Sequence, residues 1–140
     1  MGTIYTDIIL KNAGDVTIAQ RGIIPEQQIR AAAVTAMVDT GTGTLVINEE
    51  TRQRLGLAIE GLRQATLADG TSTIYQMTEP VRIQWEDRFT SCHALVVSDA
   101  DSILLGVIPL EDMDLIVDPK MQVLTGAHGR QALYMLKGFQ

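Results

Sequence analysis

Residues 36–50, AMVDTGTGTLVINEE, place a carboxylate between two apolar segments. The first segment ends at Val38, Asp39 follows it, and apolar character resumes at Leu45 after the small residues Thr40-Gly41-Thr42-Gly43. This pattern predicts two short strands joined by a tight turn. An Asp in such a turn often only accepts hydrogen bonds from nearby backbone amides. The other interpretation is that the turn exists to present Asp39 for chemistry.

The composition is typical of a globular protein and excludes several partners. The chain has 140 residues, the size of one domain spanning 1–140, with 46% hydrophobic and 20% charged residues. Its net charge of −6 leaves no basic stripe to neutralise phosphates, so we expect no nucleic-acid partner. No apolar segment approaches the roughly 18 residues that span a bilayer, so we expect no membrane partner.

The N-terminal segment and the cysteine content indicate a compartment. Residues 1–12 lack a basic stretch followed by a long apolar one, so we expect no signal peptide. The single cysteine, Cys92, excludes an internal disulfide framework and fits a reducing environment. We therefore expect a cytoplasmic protein.

Hydrophobic patterns along the chain predict a mainly β fold with one or two short helices. Residues 29–38 are rich in alanine, which favours a helix, but they lead directly into the Asp39 turn, so we predict a strand. Residues 14–28 contain Gly14, Gly22 and Pro25 and are predicted to form a loop. Other strands are expected at 3–10, 45–47, 81–87, 88–97 and 102–107, with hairpins at 65–78 and 115–124.

Two segments carry helix signals. Asn48 is suited to cap a helix over residues 49–55, and Gly56 is suited to end it. Residues 109–114, PLEDMD, support a further helical turn or two. Together with the strands, these signals predict a closed, mostly β domain.

A hairpin tip and a second glycine motif follow the Asp39 turn in a set order. The tip is Asp69-Gly70 within LADGT, residues 67–71, and the second motif is Leu104-Leu105-Gly106. This ordered set resembles the retropepsin-like aspartic proteases, the family of the retroviral proteases and their small bacterial relatives. The resemblance covers residues 29–124, and the run ILLGVIPLEDMDLIVDP at 103–119 is especially similar to the bacterial members. It implies a closed retropepsin-like β-barrel, the acid-protease fold.

The resemblance also implies which residues carry function. Asp39, Thr40 and Gly41 match the catalytic turn of an aspartic endopeptidase, with Thr40 locking two such turns together. Members of the family hold a water between two carboxylates about 3 Å apart, which cannot both be ionised, so that one acts as base and the other as acid. The implied substrate-binding residues lie in the turn, in the flap formed by the 65–78 hairpin, and near the Leu-Gly motif: Thr42, Gly43, Ala68, Asp69, Gly70, Thr71, Leu104, Leu105 and Val107. One departure is Thr42, where family members usually carry Ala or Ser.

The chain contains one copy of the catalytic motif. The acids at Asp69, Asp87, Asp99 and Asp118 lack a following Thr-Gly. The active unit is therefore expected to be a homodimer in which two Asp39 residues face each other across a twofold axis, acting on a peptide or protein substrate. The alternative is a catalytically silent dimeric module that binds peptides or assembles with the same fold.

Neither a cofactor nor a metal is expected. Cys92 and His93 are adjacent in a predicted strand, so their side chains would point to opposite faces and could not share a metal. The tail, residues 125–140, carries an apolar block at 131–136. This block could join a shared sheet at the dimer interface, pack on its own subunit, or stay disordered.

Overall fold

The computed structural model describes residues 3–66, 70–98 and 102–128. In these ranges the chain forms eleven strands, three α-helices and a single 3-10 turn at Glu26–Gln28. The elements in chain order are β1 (Tyr5–Asn12), α1 (Ala13–Gln20), β2 (Ala31–Val38), β3 (Leu45–Ile47), α2 (Glu49–Leu55), β4 (Ile59–Thr66), β5 (Ser72–Thr78), β6 (Val81–Trp85), β7 (Arg88–Cys92), β8 (Ala94–Val96), β9 (Ile103–Leu105), α3 (Val107–Asp112), β10 (Leu115–Asp118) and β11 (Val123–Gly126). None of the described helices has the length and apolar character that a membrane crossing requires.

Nine of the strands form one sheet in the order β4-β5-β8-β3-β9-β2-β1-β6-β7, and β10 pairs with β11 separately. The chain is therefore mainly β, as predicted. Closure of the sheet would need β4 to pair with β7, and no such pairing is formed among the described residues. The closed barrel stays a prediction.

Strand β9 lies between β2 and β3, although these two strands are neighbours in sequence. It runs parallel to β2, with Val38 opposite Leu105, and antiparallel to β3, with Leu45 opposite Leu105. The segment that joins β2 to β3 is the Asp39 turn, so it has to pass over the end of β9. This topology brings the two glycine motifs of the sequence together.

Alternation along the strands explains why the alanine-rich segment is extended. Ala32 and Ala36 of β2 are buried, with relative exposures of 2% and 0%, while Ala31 and Ala33 on the other face of the strand are exposed. The strand pairs with β1 on one side and β9 on the other. Tertiary pairing therefore overrides the helix propensity of alanine, and the predicted strand is confirmed.

Several local predictions are also confirmed. Helix α2 occupies the expected residues, with the Asn48 side chain accepting from Thr51 N at 2.8 Å and Gly56 in the left-handed region at φ 61°. On β6, Val81 and Ile83 are fully buried and Trp85 packs against the same core. Both predicted hairpins are present, as β4–β5 and β10–β11.

The prediction of a loop at residues 14–28 is wrong, because α1 forms there and brings the number of helices to three in the described part of the chain. The Asn12 side chain at the end of β1 accepts from Asp15 N at 3.0 Å and so caps the helix. The Asp15 carboxylate then accepts from Arg30 Nε at 2.8 Å and from Arg30 Nη2 at 2.9 Å. These contacts give the segment an order that its glycines and proline do not suggest.

The single strand predicted at 88–97 is also wrong, because it is divided at His93 into β7 and β8. Strand β7 pairs with β6, whereas β8 crosses to lie between β3 and β5. Thr78 holds the point of division: its carbonyl contacts His93 Nδ1 at 2.8 Å and its hydroxyl accepts from Ala94 N at 3.1 Å.

Candidate active site

The Asp39 turn is fixed to the end of β9 by its backbone. Asp39 N donates to Leu105 O at 3.0 Å, and Thr42 N donates back to Asp39 O at 3.1 Å, which closes the turn. Beyond the turn, Val107 N donates to Thr42 O at 2.8 Å. Hydrogen bonds to the segment 105–107 therefore hold both ends of the turn in place.

Gly106 has to be a glycine because the two segments lie too close together for a side chain, and not because of its backbone angles. Its φ of −90° is open to any residue. A Cβ at this position, however, would lie 2.3 Å from Thr44 O and 2.5 Å from Thr42 O. Both are backbone atoms, so a side chain here would push the Asp39 turn away from β9.

The Asp39 carboxylate is half-buried and bound by two donors from its own turn. Its Oδ1 accepts from Gly41 N at 3.0 Å, and its Oδ2 accepts from the Thr42 hydroxyl at 2.8 Å. A Cβ on Gly41 would lie 3.3 Å from Asp39 Oδ1, a tight contact. The turn therefore orients the carboxylate and leaves a face of it exposed. Thr40 is exposed beside it, and its hydroxyl forms no hydrogen bond with any described residue.

Asp39 lines a groove of about 520 Å³ that is mostly apolar. Five apolar residues of the sheet and of α3 line it: Val46 of β3, Leu95 of β8, Val97 directly after β8, Leu104 of β9 and Ile108 of α3. The hairpin β4–β5 contributes Arg63, Ala65, Thr66 and Tyr75, and the turn contributes Asp39 and residues 41–44. Among the described residues, a single acid thus lies beside an apolar channel, the usual composition of a ligand site.

The sequence matches the protein family described as "gag-polyprotein putative aspartyl protease" over residues 25–112. The chain belongs to this aspartyl protease family. The family resemblance predicted from the sequence is therefore confirmed. None of the curated protein sequences matches the chain.

Solved structures show the same fold for this aspartyl protease family member. The chain is similar to the retroviral protease-like domain of Ddi1 from Leishmania major, with 14% identity over 89% of this chain and 84% of that one, at a TM-score of 0.54. It is similar to EIAV protease complexed with the inhibitor HBY-793, with 20% identity over 79% and 88% of the two chains, at a TM-score of 0.50. A retropepsin-like aspartic protease from Rickettsia conorii has 18% identity over 84% and 89%, at a TM-score of 0.48. The fold is retropepsin-like.

The structure brings some of the predicted site residues together and separates others. Gly41, Thr42, Gly43 and Leu104 line the groove with Asp39. Leu105 does not, because successive strand residues face opposite sides and its side chain is fully buried in the core. The remaining predicted residues are placed as follows: Val107, Gly70 and Thr71 are outside the groove lining, and Ala68 and Asp69 are outside the described residues.

Sequence reasoning missed the contribution of the flap strands to the groove. Arg63 lies directly opposite Tyr75 in the β4–β5 register, and Ala65 is two residues further along β4. Side chains two apart on a strand share a face, and directly opposite residues share it too. The alternation of β4 puts Arg63 and Ala65 on one face, but a two-residue turn at Asp69-Gly70 would set Arg63 opposite Gln76, so Tyr75 could not be assigned from the sequence.

Cys92 is not part of the site. Its side chain packs against the hydrophobic core, and burial raises the pKa of its thiol. A thiol that resists ionisation is a poor nucleophile and a poor metal ligand.

Proposed function

We propose that the chain is an aspartic endopeptidase that works as a homodimer, with one Asp39 from each subunit in a single active site. The observation that carries this proposal is the Asp39 carboxylate, bound by Gly41 N and the Thr42 hydroxyl beside an apolar groove. Membership of an aspartyl protease family and a retropepsin-like fold support it. The proposed unit is one such domain over residues 1–140, with its sheet closed into a barrel.

The chemistry needs two carboxylates and a water between them. One carboxylate takes a proton from the water, whose oxygen attacks the peptide carbonyl carbon, while the other, protonated, donates its proton to the carbonyl oxygen. The tetrahedral intermediate then breaks its C–N bond: the amine nitrogen takes the proton now held by the first carboxyl, and a hydroxyl of the intermediate gives its proton to the second carboxylate, which restores the starting pair. The two donors on Asp39 hold its carboxylate in one orientation, which this geometry requires.

Three features of the turn support a second copy as the source of the other carboxylate. The chain has one Asp-Thr-Gly motif. Thr40 and Gly41 are exposed next to Asp39, where a partner turn can reach them. The Thr40 hydroxyl, which bonds to no described residue, is available to lock two turns together. We also propose that the apolar block at 131–136, which lies outside the described residues, contributes to the dimer contact.

The groove suits an extended peptide with apolar residues on both sides of the scissile bond. Val46, Leu95, Leu104 and Ile108 offer apolar surface, and a peptide can add as a strand beneath the β4–β5 hairpin. The flap residues around Gly70 and Thr71 are proposed to close over it. The single cysteine supports a reducing, cytoplasmic location for this activity.

A catalytically silent peptide-binding module is the alternative. The apolar groove would serve such a module equally well, since it does not depend on a second carboxylate. A binding module has no use, however, for an acid held by two donors at the edge of the groove.

Cleavage of a peptide library distinguishes the two functions. The purified protein is incubated with decapeptides that carry two adjacent apolar residues at the centre, and products are read by mass spectrometry. We expect cleavage between apolar residues, and no cleavage by Asp39→Asn, because an amide cannot take the proton from water. The Asp39→Asn protein should remain dimeric, since the amide is nearly isosteric. Peptides that bind without being cut by either protein would establish the silent module.

A further inference from the structure

Arg63 is the one cation among the described residues that line the groove. Asp39 is the other charged residue there, and the rest of the lining is apolar, small or hydroxyl-bearing. Arg63 faces the groove together with Ala65 and with Tyr75, its direct neighbour across the hairpin. Leu62 and Ile74 occupy the opposite face of the same hairpin and are exposed. A basic residue therefore stands on the face of the flap that would cover a bound peptide.

The charge of Arg63 is available to a ligand. Within residues 3–66, 70–98 and 102–128, its guanidinium forms neither an ion pair nor a hydrogen bond, and the residue is exposed. Other arginines are engaged by acids, carbonyls or an aromatic ring: Arg30, Arg52, Arg82 and Arg88. A guanidinium that is unpaired and beside an apolar channel is a binding group for a carboxylate.

The surrounding charge increases the selectivity of this position. The chain has a net charge of −6, so an acidic peptide is repelled by most of the surface. Arg63 offers a local exception inside the groove. An acidic side chain that reached it would gain a charge-assisted hydrogen bond, whereas a basic side chain would meet a like charge.

We propose that Arg63 determines specificity, selecting peptides that carry Glu or Asp a few residues from an apolar scissile bond. This inference rests on the proposed function for the position of the peptide. Because a twofold dimer supplies two copies of Arg63, the preference extends to equivalent positions on both sides of the bond. The substrate class is thus an extended segment with an apolar centre and acidic flanks.

Matched decapeptides test the proposal. They share a central Leu-Phe pair and carry Glu, Gln or Lys at the second, third or fourth residue on either side of it. We expect kcat/KM for the best Glu position to exceed that for Gln about fivefold, the size of an ion pair at a partly solvated surface, with Lys lower still. Arg63→Met should bring the ratio of Glu to Gln to about one, and Arg63→Glu should favour Lys, since reversal of the charge reverses the attraction.

The control is Arg54→Met, which removes the same charge from an exposed position of α2 outside the groove. It should keep the preference for Glu. The same peptides are titrated by fluorescence anisotropy onto the Asp39→Asn protein, so that selectivity is measured without turnover.

Equal cleavage of Glu and Gln peptides at every position overturns the role of Arg63 and leaves the protease standing. Selective binding of Glu peptides that depends on Arg63, without cleavage by the wild type, supports Arg63 and overturns the protease. Loss of the preference in Arg54→Met as well as in Arg63→Met would assign it to overall charge and overturn the proposal.

Discussion

Gly106 passes so close to Thr44 that a Cβ on the glycine would lie 2.3 Å from the Thr44 carbonyl oxygen. The contact joins the segment after β9 to the segment after the Asp39 turn. It explains in physical terms why a glycine follows the two leucines, since only a residue without a side chain lets the turn cross the end of β9.

Gly106→Ala should therefore lower the free energy of unfolding by about 3 kcal/mol, at the upper end of the range for overpacking, because the clashing atoms are backbone atoms that cannot rotate away. Urea denaturation at one fixed chain concentration measures it. Gly43→Ala, in the same turn, is the control: a Cβ there meets nothing within 4 Å. We expect it to change the free energy of unfolding by less than about 0.5 kcal/mol. Equal effects of the two substitutions would contradict the crossing.

The hydroxyl of Thr42 is expected to matter for catalysis more than for stability. Thr42→Val keeps the branched shape but removes the donor to Asp39 Oδ2, so the carboxylate loses one of its two restraints. We expect kcat to fall about tenfold, the value of a hydrogen bond to a charged group, with a smaller change in KM. Steady-state kinetics on a cleaved decapeptide provides the measurement. Thr42→Ser keeps the hydroxyl and should retain most of the rate; if Val and Ser variants behave alike, the hydrogen bond has no catalytic role.

The contact of Asp15 with Arg30 predicts how stability depends on pH. The side-chain hydrogen bond from Arg30 holds the pKa of Asp15 below its usual value of 3.8. A lowered folded-state pKa contributes stability above the unfolded value, and that contribution is lost as the pH falls through the folded pKa. Asp15→Asn should thus be less stable than the wild type at pH 7 by about 1–2 kcal/mol. This loss is smaller than that for a fully buried ion pair, because the Arg30 side chain is 51% exposed and solvent screens the interaction.

The difference between Asp15→Asn and the wild type should shrink below pH 3.8, because the Asp15 carboxyl of the unfolded wild type takes up a proton there while the folded one, with its lower pKa, is still ionised. Urea midpoints between pH 3 and pH 7 measure it. Asp7→Asn is the control: among the described residues the Asp7 side chain accepts only from the exposed Thr35 hydroxyl, so its loss should be small at every pH. A difference for Asp15→Asn that stays constant down to pH 3 would show that the carboxylate charge does not contribute.

Local signals account for the parts of the fold that could be predicted from the sequence. Helix α2 is defined by Asn48 and Gly56 at its two ends, and the strands near Asp39 by apolar runs that stop at small residues. Helix α1 was missed because its cap, Asn12, also ends a strand, and because Asp15 is satisfied by a residue fifteen positions away. A contact between distant residues leaves no local pattern.

In the candidate site, too, the residues with a local sequence signal could be predicted and those that depend on distant contacts could not. The Asp39 turn could be found because its residues are consecutive, but the donors on Asp39 depend on the conformation of that turn. Arg63 was missed because it reaches the groove only when β5 of the β4–β5 hairpin pairs with β8, a contact between residues distant in sequence. Leu104 and Leu105 were both expected in the groove from the family resemblance, but strand alternation sends their side chains to opposite faces.

Mixing two forms of the chain tests most directly whether one active site is built from two Asp39 residues. Asp39→Asn chains are added to a fixed concentration of wild-type chains, subunits are allowed to exchange, and the cleavage rate of a decapeptide is measured. With equal amounts of the two chains, the wild-type homodimer falls to about half of its initial concentration, and the rate should fall to about half with it. A rate that does not change as Asp39→Asn chains are added, in a sample shown to contain mixed dimers, would mean that each chain acts with its own carboxylate alone and would contradict the account.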